Sequence, residues 1–189
     1  MTNLPGYFIK IDSIFKPDEN ILNNLKLGQL ILPVFVGESV VLQYRAIENI
    51  DYVWSLHTRK FCKIDPTYII YASITGNPSS ENPGLIGPHI DHGPRVALNY
   101  YLEAETDITY FFKNSKNISG KVYPGKEEAN VFDEKDLEPV GNFVANSRET
   151  FLLNVSQIHC VRKLTDIKRS FISYSWHHNT YQEILDNLC

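Results

Sequence analysis

Cysteine is scarce in this chain: three in 189 residues, Cys62, Cys160 and Cys189, with no C-x-x-C pair and no even-numbered set. That excludes a disulfide framework and suits reduced thiols in a cytoplasmic protein. Long apolar runs are also missing. No window approaches the roughly 18 apolar residues a membrane span needs. The opening MTNLPGYFIKIDS is too polar and too broken for a secretory signal. The expectation is therefore a soluble, cytoplasmic protein with no membrane association. An excess of positive charge is lacking too: 18 Lys and Arg stand against 22 Asp and Glu, a net charge of −4 with neutral His. A sequence-independent grip on nucleic acid needs a strong basic face, so a nucleic-acid partner is disfavoured. There is no internal repeat and no low-complexity tract.

What is present is an ordinary globular composition, 43% apolar and 21% charged, which argues against global disorder. At about 150 residues per domain, the length predicts one domain over 1–189. It divides into an N-terminal layer at about 1–66, a β-rich core at about 67–176 and a tail at 177–189. Tyr and Phe, 11 and 10 of them, are plentiful and suit β-sheets. Residues 6–15, 67–75, 95–103, 108–112, 150–155, 158–162 and 169–176 read as strands. Residues 19–27 and 46–61 carry apolar residues at helical spacing, the second placing Trp54 and His57 on one face. The segment 76–88 is rich in Gly, Pro, Asn and Ser and reads as a loop, and Gly93-Pro94 as a turn. Residues 113–140 are polar and turn-rich and read as an exposed excursion, or as a lid over a binding mouth. The tail from Asn179 to Leu188 suits a short amphipathic helix. Strands in series, without alternating helices, predict an antiparallel barrel or sandwich, with a helical layer from the first sixty residues on one outer face.

His89 and Asp91 sit two residues apart, so on an extended segment both point to one face. His159 lies 70 residues on, within a later strand. Two imidazoles and one carboxylate on a single face of a divalent metal leave the opposite positions open, the arrangement of non-haem Fe(II) oxygenases. Arg169 lies ten residues after His159. If Thr165-Asp166 turns a hairpin, the two face one interior from adjacent strands. A planar guanidinium there suits a carboxylate, which it binds through two parallel hydrogen bonds. Asn99 and Tyr101 share parity with Arg95, giving that strand a polar side that suits a cavity. His92 is offset from Asp91 and should face the other way, and Cys160 should point away from the metal. His177 and His178 are adjacent and diverge.

The set His89-Ile90-Asp91, His159 and Arg169 resembles the HxD…H…R pattern of the Fe(II)/2-oxoglutarate-dependent oxygenases, over roughly residues 67–176. Residues 97–102 and 149–154 are similar to the strands that follow HxD and precede the distal histidine in that family. The resemblance implies a mainly β fold, a double-stranded β-helix or distorted jelly roll. It also implies His89, Asp91 and His159 as the catalytic Fe(II) ligands, with 2-oxoglutarate as cosubstrate and Arg169 on its far carboxylate. The outcome implied is O2-dependent hydroxylation with release of succinate and CO2. Where many relatives carry a Ser or Thr two residues after this Arg, Phe171 stands here. Relatives often carry a Tyr upstream of HxD, and Tyr71 is the candidate for that cosubstrate contact. Asn99 and Tyr101 complete the cofactor-binding candidates. Two rival readings remain: a jelly-roll, cupin-like metal-binding module, and a dioxygenase that does not use 2-oxoglutarate. A small molecule and a protein side chain both remain open as substrate, and no oligomeric state is legible.

Overall fold

Where β-branched and aromatic residues alternate with polar ones, the chain forms strands whose two faces part into different surroundings. The computed structural model describes residues 4–11, 22–23, 25–35, 40–48, 59–76, 84–91, 93–123 and 126–189. The first strands are β1 (Phe8–Lys10), β2 (Leu27–Phe35), β3 (Val40–Ile47) and β4 (Tyr68–Gly76). Then come β5 (Gly84–Asp91), β6 (Val96–Glu103), β7 (Ile108–Lys113), β8 (Lys121–Tyr123) and β9 (Lys126–Val131). Last are β10 (Glu138–Val144), β11 (Thr150–Leu153), β12 (Ile158–Lys163) and β13 (Arg169–Trp176). A short helix, α1 (Tyr181–Asp186), follows.

These strands make two sheets, ordered β1-β11-β6-β13-β4-β3-β2 and β10-β7-β12-β5-β9-β8, with every pairing antiparallel. From β4 to β7, and again from β10 to β13, successive strands change sheet. That alternation winds the chain into a double-stranded β-helix.

Parity then decides which side chains enter the space between the sheets. Along β6 and β13, Ala97, Asn99, Tyr101, Phe171 and Ser173 face inward, while Leu98, Tyr100, Ile172, Tyr174 and Trp176 face outward. The inward side holds Phe8, Phe111, Phe143 and Phe151, with Phe143 and Phe151 stacked at 4.1 Å between ring centroids. Each such ring, fully buried, contributes about 1.5–3 kcal/mol relative to exposure. The outward side packs against Phe61, Cys62, Tyr181 and Ile184. Here α1 is started by a reciprocal cap: Thr180 accepts from the Glu183 amide and the Glu183 carboxylate accepts from the Thr180 amide.

The structure changes four of the sequence expectations. Among the described residues, the first sixty supply β1, β2 and β3 to the larger sheet as well as a helical turn at residues 22–23. Leu22 and Leu25 do pack on the outer face, and Leu27 already belongs to β2, while residues 19–21 and 24 of the first helical segment and 49–58 of the second, with Trp54 and His57, lie outside the described residues. The loop expected to reach residue 88 gives way to strand at Gly84, because β5 pairs with both β12 and β9. The excursion at 113–140 contributes β8, β9 and the start of β10 to the smaller sheet. Its β9 lies directly beside the His89–Asp91 segment. Finally, β12 and β13 do not form a hairpin; they lie in opposite sheets. An even spacing places two residues on inward faces equally well whether their strands are neighbours or oppose each other.

Candidate metal and anion site

The site grows from one irregularity in β5. His89 pairs with His159 of β12, and the next aligned pair is Val161 with Ile86, so β5 carries one extra residue between them. Bulges of this kind re-aim side chains. Gly87 and Pro88 occupy it, a residue without Cβ and one without an amide N–H, both suited to a broken ladder. The Gly87 carbonyl accepts from His89 Nδ1 at 2.7 Å, and the Gln157 carbonyl accepts from His159 Nδ1 at 3.0 Å. A carbonyl only accepts, so both rings carry Nδ1–H and turn Nε2 toward the interior.

Asp91, two residues along the same face, completes the group. Its Oδ1 lies 3.2 Å from His89 Nε2 and 3.8 Å from His159 Nε2. One donor atom from each of the three residues falls within 4.8 Å of the others. Two borderline nitrogen donors and one carboxylate oxygen, converging with their far nitrogens tied down, fit a divalent transition metal. The ring centroids of His89 and His159 are 4.4 Å apart, and Phe111 lies against His159 at 5.8 Å. Burial, reinforced by the His89 ring, pulls His159 down to about 4, against the opposing pull of Asp91. His89 is lowered by burial, but its hydrogen bond to Asp91 and that carboxylate's charge prevail and leave it raised. Burial pushes Asp91 up, yet His159 and His89 together hold it below the usual carboxylate range.

Arg169 enters the same interior from the larger sheet and is only 2% exposed. Its Nη2 donates to Tyr101 Oη and to Thr109 Oγ1, both at 2.8 Å, and its guanidinium lies 4.8 Å from the Tyr101 ring centroid. Its Nε and Nη1 are buried without an acceptor. The nearby Lys163 is neutralised: its Nζ pairs with Asp107 at 3.4 Å and also donates to the Ile167 carbonyl. Among the described residues no carboxylate forms an ion pair with Arg169, so its charge is uncompensated.

The remaining expected residues divide. Asn99 and Tyr101 do face inward and are buried, Asn99 with its Oδ1 lacking a partner. Tyr71 does not join them. It pairs with Ile172 and packs in the outer cluster, on the opposite face of the sheet from Arg169. Cys160 packs outside the smaller sheet, where burial pushes its thiol up to about 12. Arg95 is exposed. His92 lies outside the described residues. His177 lies edge-on to Tyr68 at 4.9 Å and covers Gly93, whose φ of +114° glycine adopts freely. Thr109 has no counterpart among the sequence expectations: in the run Ile108–Phe112 it looks like an ordinary strand threonine, and only its alternation with Phe111 hints at an inward position.

No protein-family model and no curated protein sequence matches the chain. Solved structures similar to it include HygX from Streptomyces hygroscopicus with nickel and 2-oxoglutarate bound. That pair is 13% identical, with a TM-score of 0.49, over 93% of this chain and 85% of the other. An oxalate decarboxylase aligns at 13% identity and a TM-score of 0.38, over 79% of this chain and 29% of that one. A vicilin from Solanum melongena aligns at 9% and 0.39, over 78% and 30%.

Proposed function

We propose that this protein is a non-haem Fe(II)- and 2-oxoglutarate-dependent dioxygenase that hydroxylates a small molecule or a protein side chain. The observation that carries this reading is the pairing of two features in one interior. A convergent His-Asp-His set lies on one sheet, and a buried guanidinium without a counter-ion reaches in from the other. A metal module alone, or an oxygenase without a diacid cosubstrate, leaves that guanidinium unexplained, since burying an unpaired charge is costly.

His89 and His159 would hold the iron through Nε2, and Asp91 through its carboxylate. The bound iron supplies redox chemistry with O2, at the expense of oxidative decarboxylation of 2-oxoglutarate to succinate and CO2. Arg169 neutralises the far carboxylate of the cosubstrate. Phe111, Phe171 and Tyr101 line the interior with rings that exclude water, strengthening the charge interactions inside. The free thiols of Cys62, Cys160 and Cys189 fit a reducing, cytoplasmic setting.

The test is succinate release. Protein loaded anaerobically with Fe(II) and 2-oxoglutarate, then exposed to O2, should form succinate, and Asp91→Asn should form none. Wild-type protein that binds iron yet yields no succinate refutes the assignment.

A further inference from the structure

Arg169 ties the two sheets together. One of its Nη2 bonds goes to Tyr101 on β6 of its own sheet, the other to Thr109 on β7 of the opposite sheet. In both bonds the hydroxyl oxygen accepts, so each hydroxyl keeps its own proton to donate. Thr109 is 2% exposed, and Nε and Nη1 of Arg169 have no acceptor. Two hydroxyls with a proton to donate and two unpaired guanidinium nitrogens are thus gathered around one buried side chain, a donor set suited to a carboxylate.

The position of Thr109 adds a second constraint. On the β7–β12 ladder Thr109 pairs with Val161, and Phe111 pairs with the metal-site residue His159. Thr109 thus stands two residues from the His159 level along a hydrogen-bonded ladder, a separation of about 7 Å. Arg169 comes from the other sheet on a long side chain, whereas Thr109 is short and shares its ladder with the metal site.

We propose that Thr109 is a specificity residue of this site. Its hydroxyl donates to the carboxylate that Arg169 neutralises, and its ladder position sets how far that carboxylate lies from the metal. The ligand class is a 2-oxo acid with a second carboxylate at a fixed distance. The inference rests on the oxygenase reading and sharpens it, by assigning the choice of diacid length to a residue outside the HxD…H…R set.

The test is calorimetric titration of the full chain, loaded with Mn(II) under anaerobic conditions, with 2-oxoglutarate, the longer 2-oxoadipate and pyruvate, which lacks the second carboxylate. Wild type should prefer 2-oxoglutarate to 2-oxoadipate. Thr109→Val should bind 2-oxoglutarate about tenfold more weakly, the scale of one hydrogen bond to a charged group. It should also narrow that preference and leave pyruvate and Mn(II) affinity unchanged. Thr109→Ser, which keeps the hydroxyl, should stay close to wild type. Undiminished 2-oxoglutarate binding by Thr109→Val overturns the inference while the oxygenase reading stands. So does an equal loss for pyruvate, or a loss in Thr109→Ser as large as the one expected for Val. A wild-type protein that holds Mn(II) but takes up no 2-oxoglutarate brings down both.

Discussion

His89 and His159 are direct partners across the β5–β12 ladder, with ring centroids 4.4 Å apart and each Nδ1 anchored to a carbonyl two residues before it. Two such anchors fix both rings without help from a metal. The donor set is preorganised, so metal binding needs little reordering of the chain.

Metal should therefore stabilise the protein by mass action. At a free Mn(II) or Fe(II) concentration a hundred times the dissociation constant, the gain is about 2.7 kcal/mol. Differential scanning calorimetry should show a rise in melting temperature for wild type and no rise for Asp91→Asn or His159→Ala. An equal rise in Asp91→Asn removes Asp91 from the ligand set.

Arg169 should cost stability when no anion is bound. Its guanidinium is buried with two nitrogens unpaired and, among the described residues, no carboxylate in an ion pair with it. Arg169→Met keeps most of the volume and removes the charge. In urea titrations it should be more stable than the ligand-free wild type by about 1–2 kcal/mol, as replaced buried charges often are. The same variant should keep Mn(II) binding and lose 2-oxoglutarate binding. A less stable Arg169→Met contradicts the account of Arg169 as an uncompensated charge.

Acid should remove a second contribution. Burial pushes the Glu149 carboxyl up, but Lys10 at 2.7 Å and the Asn146 amides outweigh it and hold it below its ordinary value. A lowered folded pKa means stability that is full above the unfolded value, about 4.3, and lost as pH falls through the folded one. The stability gap between wild type and Glu149→Gln should thus be flat from about pH 8 to 5 and close below about pH 4. A gap that persists unchanged to pH 3 assigns it to packing instead.

Gly93 should be intolerant of a side chain. Its φ is +114°, and an added Cβ would lie 3.1 Å from Cε1 of His177. Gly93→Ala should lose about 1–3 kcal/mol of stability. It should also weaken Mn(II) binding, because Asp91 is two residues away. Metal affinity equal to wild type would show that the turn and the ligand are uncoupled.

Much of this site is legible in the amino-acid order alone. The shared face of His89 and Asp91 follows from the period of an extended chain, and the strand at 158–162 follows from its apolar run. The tail helix is legible as an amphipathic pattern over Asn179 to Leu188, while its start at a reciprocal Thr180–Glu183 cap comes from the structure. Arg169 shares the interior with the His89, Asp91 and His159 group for a different reason from the one its spacing suggests. The spacing points to a hairpin, whereas the guanidinium crosses from one sheet to the other to reach Thr109. Tyr71 departs from expectation because its parity, set by pairing with Ile172, turns it outward. The 113–140 segment hides β9 because its charged side chains mask a backbone that pairs beside His89 and Asp91.

The amino-acid sequence by itself determined local facts of the β-rich half: that the segments around 67–75, 95–103, 108–112, 150–153, 158–162 and 169–176 extend, and which of their side chains share a face. These depend on neighbours within a few residues, through sterics and a two-residue period. Only the tertiary structure decided the partnerships: His159 against His89, β9 beside the His89–Asp91 segment, Thr109 against Arg169. Strand pairing and sheet packing join residues far apart in the chain, and the same alternation permits many pairings. The choice among them is made by the burial of the whole interior, which no single segment encodes.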